Sequence, residues 1–114
     1  MAIHPIDSLM RFARAFNARD WDDWGRVVGD DFRQSSEHGT EILENDKAGW
    51  LEIHKRMAAN GMTFWVLSVA VNGPFLCVTW EFRKEDQPLL RGAGVGEVDA
   101  DGHLIKLKGL NVSV

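Results

Sequence analysis

Residues 63–84, TFWVLSVAVNGPFLCVTWEFRK, decide how this chain is read: two runs rich in β-branched and aromatic residues meet at Asn72-Gly73. Asn-Gly between such runs signals a hairpin, because both residues tolerate the positive φ of a tight reversal. The pattern continues towards the C-terminus. Leu89–Asp99 and His103–Val114 read as further strands, set off by Glu85–Pro88 and Asp101-Gly102. With Thr63–Val71 and Phe75–Lys84 they make an expected four-stranded meander.

The turns also predict a register. Two-residue turns at Asn72-Gly73 and Asp101-Gly102, with Asp86 central in the third, set Trp80 opposite Trp65 on one side and Gly92 on the other. One face then carries Trp65, Leu67, Val69, Val71, Leu76, Val78, Trp80 and Phe82. It continues through Leu90, Gly92, Gly94, Gly96 and Val98 to Ile105, Leu107, Gly109, Asn111 and Ser113. The opposite face pairs Glu81 with Arg91 and Glu97 with Lys106, opposite charges directly across the sheet.

Upstream the period changes from two to 3.6. Pro5 suits the first turn of a helix, where its missing N–H costs nothing. Ile6, Leu9, Met10, Ala13 and Phe16 then recur at helical spacing. Asp20 can cap a short second helix bearing Trp21, Trp24 and Val28, which Gly29-Asp30-Asp31 ends. Phe32 to Glu37 reads as a short strand, followed by a polar loop with His38, Gly39 and Thr40. Asn45 or Asp46 caps a third helix reaching about Ala59, with Trp50, Leu51, His54, Met57 and Ala58 on one face.

The stretch Phe12-Ala13-Arg14-Ala15-Phe16-Asn17-Ala18-Arg19-Asp20-Trp21, then Val28-Gly29-Asp30-Asp31-Phe32, resembles the nuclear-transport-factor-2-like superfamily: an apolar helix, an N-x-x-D break and a D-D before the first strand. The ending Val98 to Ile105 and Leu110-Asn111-Val112 is similar to its closing hairpin. The resemblance covers essentially the whole chain, read as one domain over residues 1–114. It implies the α+β fold of ketosteroid isomerase and SnoaL-like cyclases, a cystatin-like roll: a cone-shaped curved antiparallel sheet wrapped around three N-terminal helices. In that fold the open end of the cone receives a ligand. Carried over by position, the pocket face holds Phe12, Phe16, Phe32, Gln34, Ser36, His54, Trp65, Trp80, Gly94 and Asn111.

Ketosteroid isomerase needs an Asp base, a Tyr and a protonated Asp. The matching positions here are Ser36, Phe12 and Gly94, so steroid isomerisation by that mechanism is not expected. The Arg/Asp networks of limonene epoxide hydrolase are unmatched too, since the pocket face carries no carboxylate.

Composition bounds the partners. The formal charge is −4 and the 13 basic residues are scattered, which argues against nucleic acid or an anionic membrane. The apolar run from Phe64 to Val71 is too short to span a bilayer. Met1-Ala2-Ile3-His4-Pro5 lacks the basic and apolar regions of a signal peptide, and the lone Cys77 cannot form an internal disulfide, so a cytoplasmic location is expected. No His or Cys pair has ligand spacing; Asp99-Ala100-Asp101-Gly102 reads as a hairpin turn, and neither metal nor cofactor is expected.

His54, an imidazole on an apolar helix stripe, reads either as a buried histidine satisfied by a partner or as a catalytic acid/base. The second reading calls for Ser36, Gln34 or Asn111 as proton partner, with Ser36–His54 as a candidate catalytic pair. His38 beside Glu37 could gate the mouth, though a solvated loop pair is the simpler reading. Gly92, Gly94 and Gly96 leave one strand face bare, for Trp80 or for a ligand to fill. Trp21, Trp24 and Trp50 are candidate ligand contacts, the first two at the mouth or as a lid. On the outer face, Phe64, Val66, Ala70, Phe75, Cys77, Val95 and Leu110 are too apolar for free solvent, which predicts a homodimer. The expectation is a small-molecule-binding cone for an apolar or cyclic ligand, with isomerase, cyclase or dehydratase chemistry through His54. The competing expectation is a non-catalytic interaction domain filled by its own tryptophans.

Overall fold

The computed structural model describes residues 4–38 and 41–114. Along the chain run α1 (Pro5–Ala18), α2 (Trp21–Val27), β1 (Val28–His38), β2 (Glu41–Asp46), α3 (Lys47–Ala59), β3 (Thr63–Asn72), β4 (Phe75–Lys84), β5 (Gln87–Val98) and β6 (Leu104–Ser113). The six strands form one open, curved sheet in the order β2-β1-β6-β5-β4-β3. With the helices on its concave side this is the α+β cone. Neighbouring strands are antiparallel except β1 and β6, which run parallel. The sheet is therefore mixed, as a crossover as long as the one through α3 and the meander permits.

The helices begin and end where local chemistry says. Pro5 opens α1, and the His4 side chain accepts from the Ile6 amide. Asp20 caps α2 by accepting from the Asp23 amide at 3.0 Å, and Asp46 caps α3 through the Gly49 amide at 2.8 Å. The N-x-x-D break is a set of clips. Asn17 donates to the Phe64 carbonyl and accepts from the Phe64 amide, pairing with the free edge of β3 as a strand would. Arg19, in the left-handed region at φ 58°, sends its guanidinium to the carbonyls of Phe16 and Ala58, joining the ends of α1 and α3. Ser8 donates to the Gly102 carbonyl and pins α1 to the β5–β6 turn.

Three expectations are corrected. Glu41–Asp46 is a strand: ladder bonds to β1 hold a segment whose polar composition argues for loop. Gly39 and Thr40, and the side chain of His38, lie outside the described residues. Val28 belongs to β1 rather than to the second helix, pairing with Leu104, and a register shift between Val28 and Arg33 separates it from the rest of the ladder.

The largest correction concerns β3. The reversal falls on Gly73-Pro74, so Asn72 pairs with Phe75 and Val69 with Val78. An irregularity between Val66 and Ser68 then leaves Leu67 unpaired. One inserted residue exchanges the faces beyond it. Phe64 and Val66 face inwards opposite Phe82 and Trp80, and Trp65 lies outside opposite Glu81. Phe64 is buried, while Trp65 is 42% exposed under the guanidinium of Arg83.

The other registers hold in the strand bodies but shift at the turns: Lys84 pairs with Gln87, so the third turn is Glu85-Asp86 rather than one centred on Asp86, and Val98 pairs with Leu104, so the last turn is not the two residues Asp101-Gly102. Trp80 pairs with Gly92, Glu81 with Arg91, and Glu97 with Lys106. Glu81 accepts from Arg91 at 2.7 Å and from Arg83 at 2.9 Å, and the two guanidiniums hold its carboxyl below the usual carboxylate range. At the β5–β6 turn, Asp99 Oδ1 accepts from the amides of Asp101 and His103. That bracing accounts for the proximity of Asp99, Asp101 and His103, whose ligand atoms lie within 4.8 Å of one another. Among the described residues, no helix is long and apolar enough to cross a membrane.

Candidate functional site

Between the concave face and the helices lies a cavity of about 120 Å³. Leu9 and Phe12 of α1, Trp50 and His54 of α3, and Phe64 of β3 form one wall. Leu76, Val78, Trp80 and Phe82 of β4 form another, closed by Gly96 and by Leu104, Leu107 and Gly109 of the last two strands. Polar groups enter from Gln34 and Ser36 of β1, His54, and Asn111 of β6. No Asp or Glu side chain lines it among the described residues.

Seven of the twelve candidate residues meet at this cavity: Phe12, Gln34, Ser36, Trp50, His54, Trp80 and Asn111. Phe16, Trp24 and Phe32 are fully buried in the core behind it. Trp21 is half-buried and edge-on to Phe16 at 6.0 Å. The lid role fails for Trp24, whose indole has no exposed surface, and Trp65 lies on the outer face beyond the bulge. Phe64 takes the place inside that the uninterrupted register gives to Trp65.

His54 is held in an aromatic cage. Trp50 lies 4.2 Å away by ring centroids, Phe16 stands edge-on at 5.3 Å, and Phe12 and Trp24 complete the enclosure at 5.6 and 5.8 Å. Trp24 Nε1 donates to His54 Nδ1 at 3.1 Å. The partner is thus Trp24, not Ser36, Gln34 or Asn111. Burial among these rings pushes the imidazole pKa down to about 3. At neutral pH the ring is uncharged, Nδ1 is an acceptor already engaged, and the proton sits on Nε2. Taking a second proton requires Nδ1 to leave Trp24.

Trp80 explains the glycines. Its Nε1 donates to Asn111 Oδ1 at 2.7 Å, and the indole lies across Gly92, Gly94 and Gly109. A Cβ on Gly94 or Gly109 would sit 3.0 or 3.1 Å from Trp80 Cη2 and nearer still to a backbone carbonyl. At Gly96 the added carbon would meet only Leu104 Cδ1 at 3.5 Å and atoms beyond. The bare strand is therefore divided: Gly92 and Gly94, with Gly109 of β6, seat the tryptophan, and Gly96 lines the cavity in ordinary contact with Leu104 and Leu76. On the other side Asn45 Nδ2 donates to Gln34 Oε1 at 2.8 Å, a role for Asn45 that reading it as a helix cap missed.

The family description "SnoaL-like domain" matches residues 9–107. No curated protein is significantly similar in sequence. Among solved structures, wild-type IdmH from Streptomyces antibioticus, a candidate polyketide cyclase, superposes with a TM-score of 0.78 at 16% identity over 96% of this chain and 92% of its own. A protein of unknown function with a cystatin-like fold from Methylobium petroleophilum PM1 gives 0.81 at 14% identity, over 100% and 81%. A candidate ketosteroid isomerase from Kribbella flavida DSM 17836 gives 0.76 at 18% identity, over 96% and 78%. At these identities the likeness speaks for the fold alone.

Proposed function

This chain belongs to the SnoaL-like domain family, and from that footing we propose that it binds a small, mainly apolar ring compound in the cone. The observation that carries the reading is the cavity itself. Aromatic and aliphatic walls surround a few converging polar side chains, the general character of a small-molecule site. Its size suits a single ring, since a cavity of about 150 Å³ accommodates benzene. Isomerase, cyclase or dehydratase chemistry at this site would need a proton acceptor other than His54 Nδ1. His54 and Ser36 then serve as hydrogen-bonding groups towards the ligand.

Native mass spectrometry of freshly expressed protein tests this. We expect a discrete adduct mass in the range of a one- or two-ring compound, because a tight ligand stabilises the fold and survives purification. Gly96→Val, which adds bulk to the lining beside Leu104 and Leu76, should lose the adduct, with circular dichroism checking that the fold is kept. A clean protein whose melting temperature no ring compound raises would sink the reading.

A second reading has its own observation: Trp80 and Trp50 line the cavity and Trp24 is packed fully behind it, so tryptophan rings supply much of the filling. On it the domain serves assembly, through the outer sheet face. Cys77 pairs with Val95 and Ala93 with Leu110, so these residues and Phe75 form a continuous exposed apolar patch. We propose a homodimer through this patch, compatible with either reading of the cavity. Light scattering should give twice the chain mass for the wild type, and Val95→Asp should return the monomer mass with unchanged circular dichroism. A monomeric wild type at every concentration would end the proposal.

A further inference from the structure

The two edges of the sheet are finished differently. At β3, Asn17 pairs with both the amide and the carbonyl of Phe64, and the irregularity at Leu67 interrupts the strand. Side-chain cover and bulges are ordinary ways of keeping an edge from pairing with another chain. β2, the opposite edge, has neither. Its ladder with β1 runs without a shift from Glu41 to Asp46, and among the described residues no other segment's backbone bonds to its outer side. Ile42 and Leu43 on this strand are 65% and 48% exposed. Two cross-strand rows on the outer face also end here. One runs Glu97, Lys106, Arg33, Asp46 from β5 to β2, and the next runs Val95, Lys108, Ser35, Glu44. Each stops on a carboxylate at the open edge, where an opposite charge on a further strand would stabilise pairing.

We propose that the outer edge of β2 takes a seventh strand from a different protein, an extended basic segment with a defined pattern. Lysine or arginine stands opposite Glu44 and Asp46, and apolar residues stand opposite Ile42 and Leu43. The main-chain bonds of the added strand supply affinity, and the alternating side chains supply selectivity. Antiparallel addition is the favoured direction, since those ladders are the more stable per residue. The charges also select against a second copy of this chain. β2 holds three acidic residues and no basic one, so two such edges paired together would gather like charges. Nothing in this interaction uses the cavity, and it stands or falls apart from the ring-compound reading.

The test is an NMR titration of the full, isotope-labelled chain with a capped peptide, Lys-Thr-Lys-Val-Val-Lys, at up to millimolar concentration. The amide signals of residues 41–46 should move, and their hydrogen exchange should slow. Two further peptides carry N-methyl groups on alternate residues, one on each set. Successive amides of an extended segment point to opposite edges, so one of the two should bind and the other should not. Glu44→Lys, at an exposed position, turns an attraction into a repulsion. It should weaken the basic peptide about tenfold and admit a peptide with glutamate in place of lysine. No binding to the wild type, shifts that map away from β2, or equal binding of the two methylated peptides would each overturn the proposal. So would protection of residues 41–46 that grows with protein concentration in the absence of peptide, because the edge would then belong to a second copy.

Discussion

Gly92→Ala should be among the most damaging single-methyl substitutions in this chain. The new Cβ would lie 2.5 Å from Asn111 Oδ1 and closer still to Cε2 and Nε1 of Trp80. Asn111 is exposed and can give way, but Trp80 is a rigid ring with 6% of its surface accessible. The indole must swing off the strand or the strand must part from β6. Overpacking of this kind costs about 1–3 kcal/mol, and separating Trp80 from Asn111 leaves a buried N–H unpaired for about another 1–3. A loss of about 3 kcal/mol is expected in urea unfolding. Gly96→Ala, with its nearest contact at 3.5 Å, should cost under about 1 kcal/mol. Combining Gly92→Ala with Trp80→Leu should recover part of the loss, because the second change removes the obstacle the first runs into. Equal losses at Gly92 and Gly96 would mean that backbone conformation, and not the tryptophan seat, explains the glycines.

The alternation of glycines was visible in the sequence, and so was its pairing with Trp80: the turn closes at Glu85-Asp86 rather than around Asp86, but a one-residue shift between Phe82 and Arg83 restores the register that the opposed charges of Glu81 and Arg91 mark. The same logic failed on β3 for a physical reason. Parity carries along a strand only while the ladder is unbroken, and the single unpaired Leu67 exchanges the faces of everything before it. Nothing local marks the bulge. Thr63 to Val71 is apolar at too many successive positions for alternation to say which side is which. β2 was hidden differently. Its six residues, Glu41 to Asp46, become a strand through pairing with β1, and pairing is a tertiary fact that composition does not encode. Within the site, the apolar face of α3 delivered Trp50 and His54 correctly. The partner of His54 was beyond reach, because choosing among Trp24, Ser36, Gln34 and Asn111 requires knowing how deeply α2 sits.

That depth has a consequence measurable by pH. His54 in the folded chain titrates near 3, pushed down by burial, against an ordinary value of 6.5. Between those limits the unfolded chain binds a proton that the folded chain refuses, so acidification draws the equilibrium towards unfolding. The contribution is fully present above about pH 6.5 and is lost progressively as the pH falls towards 3. Its slope approaches about 1.4 kcal/mol per pH unit once the unfolded imidazole is mostly protonated. His54→Gln removes the titration but keeps a carbonyl able to accept from Trp24. The variant should be less stable at pH 7 by about 1–2 kcal/mol, for lost ring packing, yet its stability should fall much less between pH 6.5 and 4.5. The difference between the two curves isolates His54 from every other ionisable group, which both proteins share. Parallel curves would place the imidazole in contact with water and free to charge. The same measurement decides what a neutral-pH inflection in any activity could mean. If the slopes differ as expected, an inflection near 6.5 cannot belong to His54, and the imidazole acts through the proton it holds on Nε2.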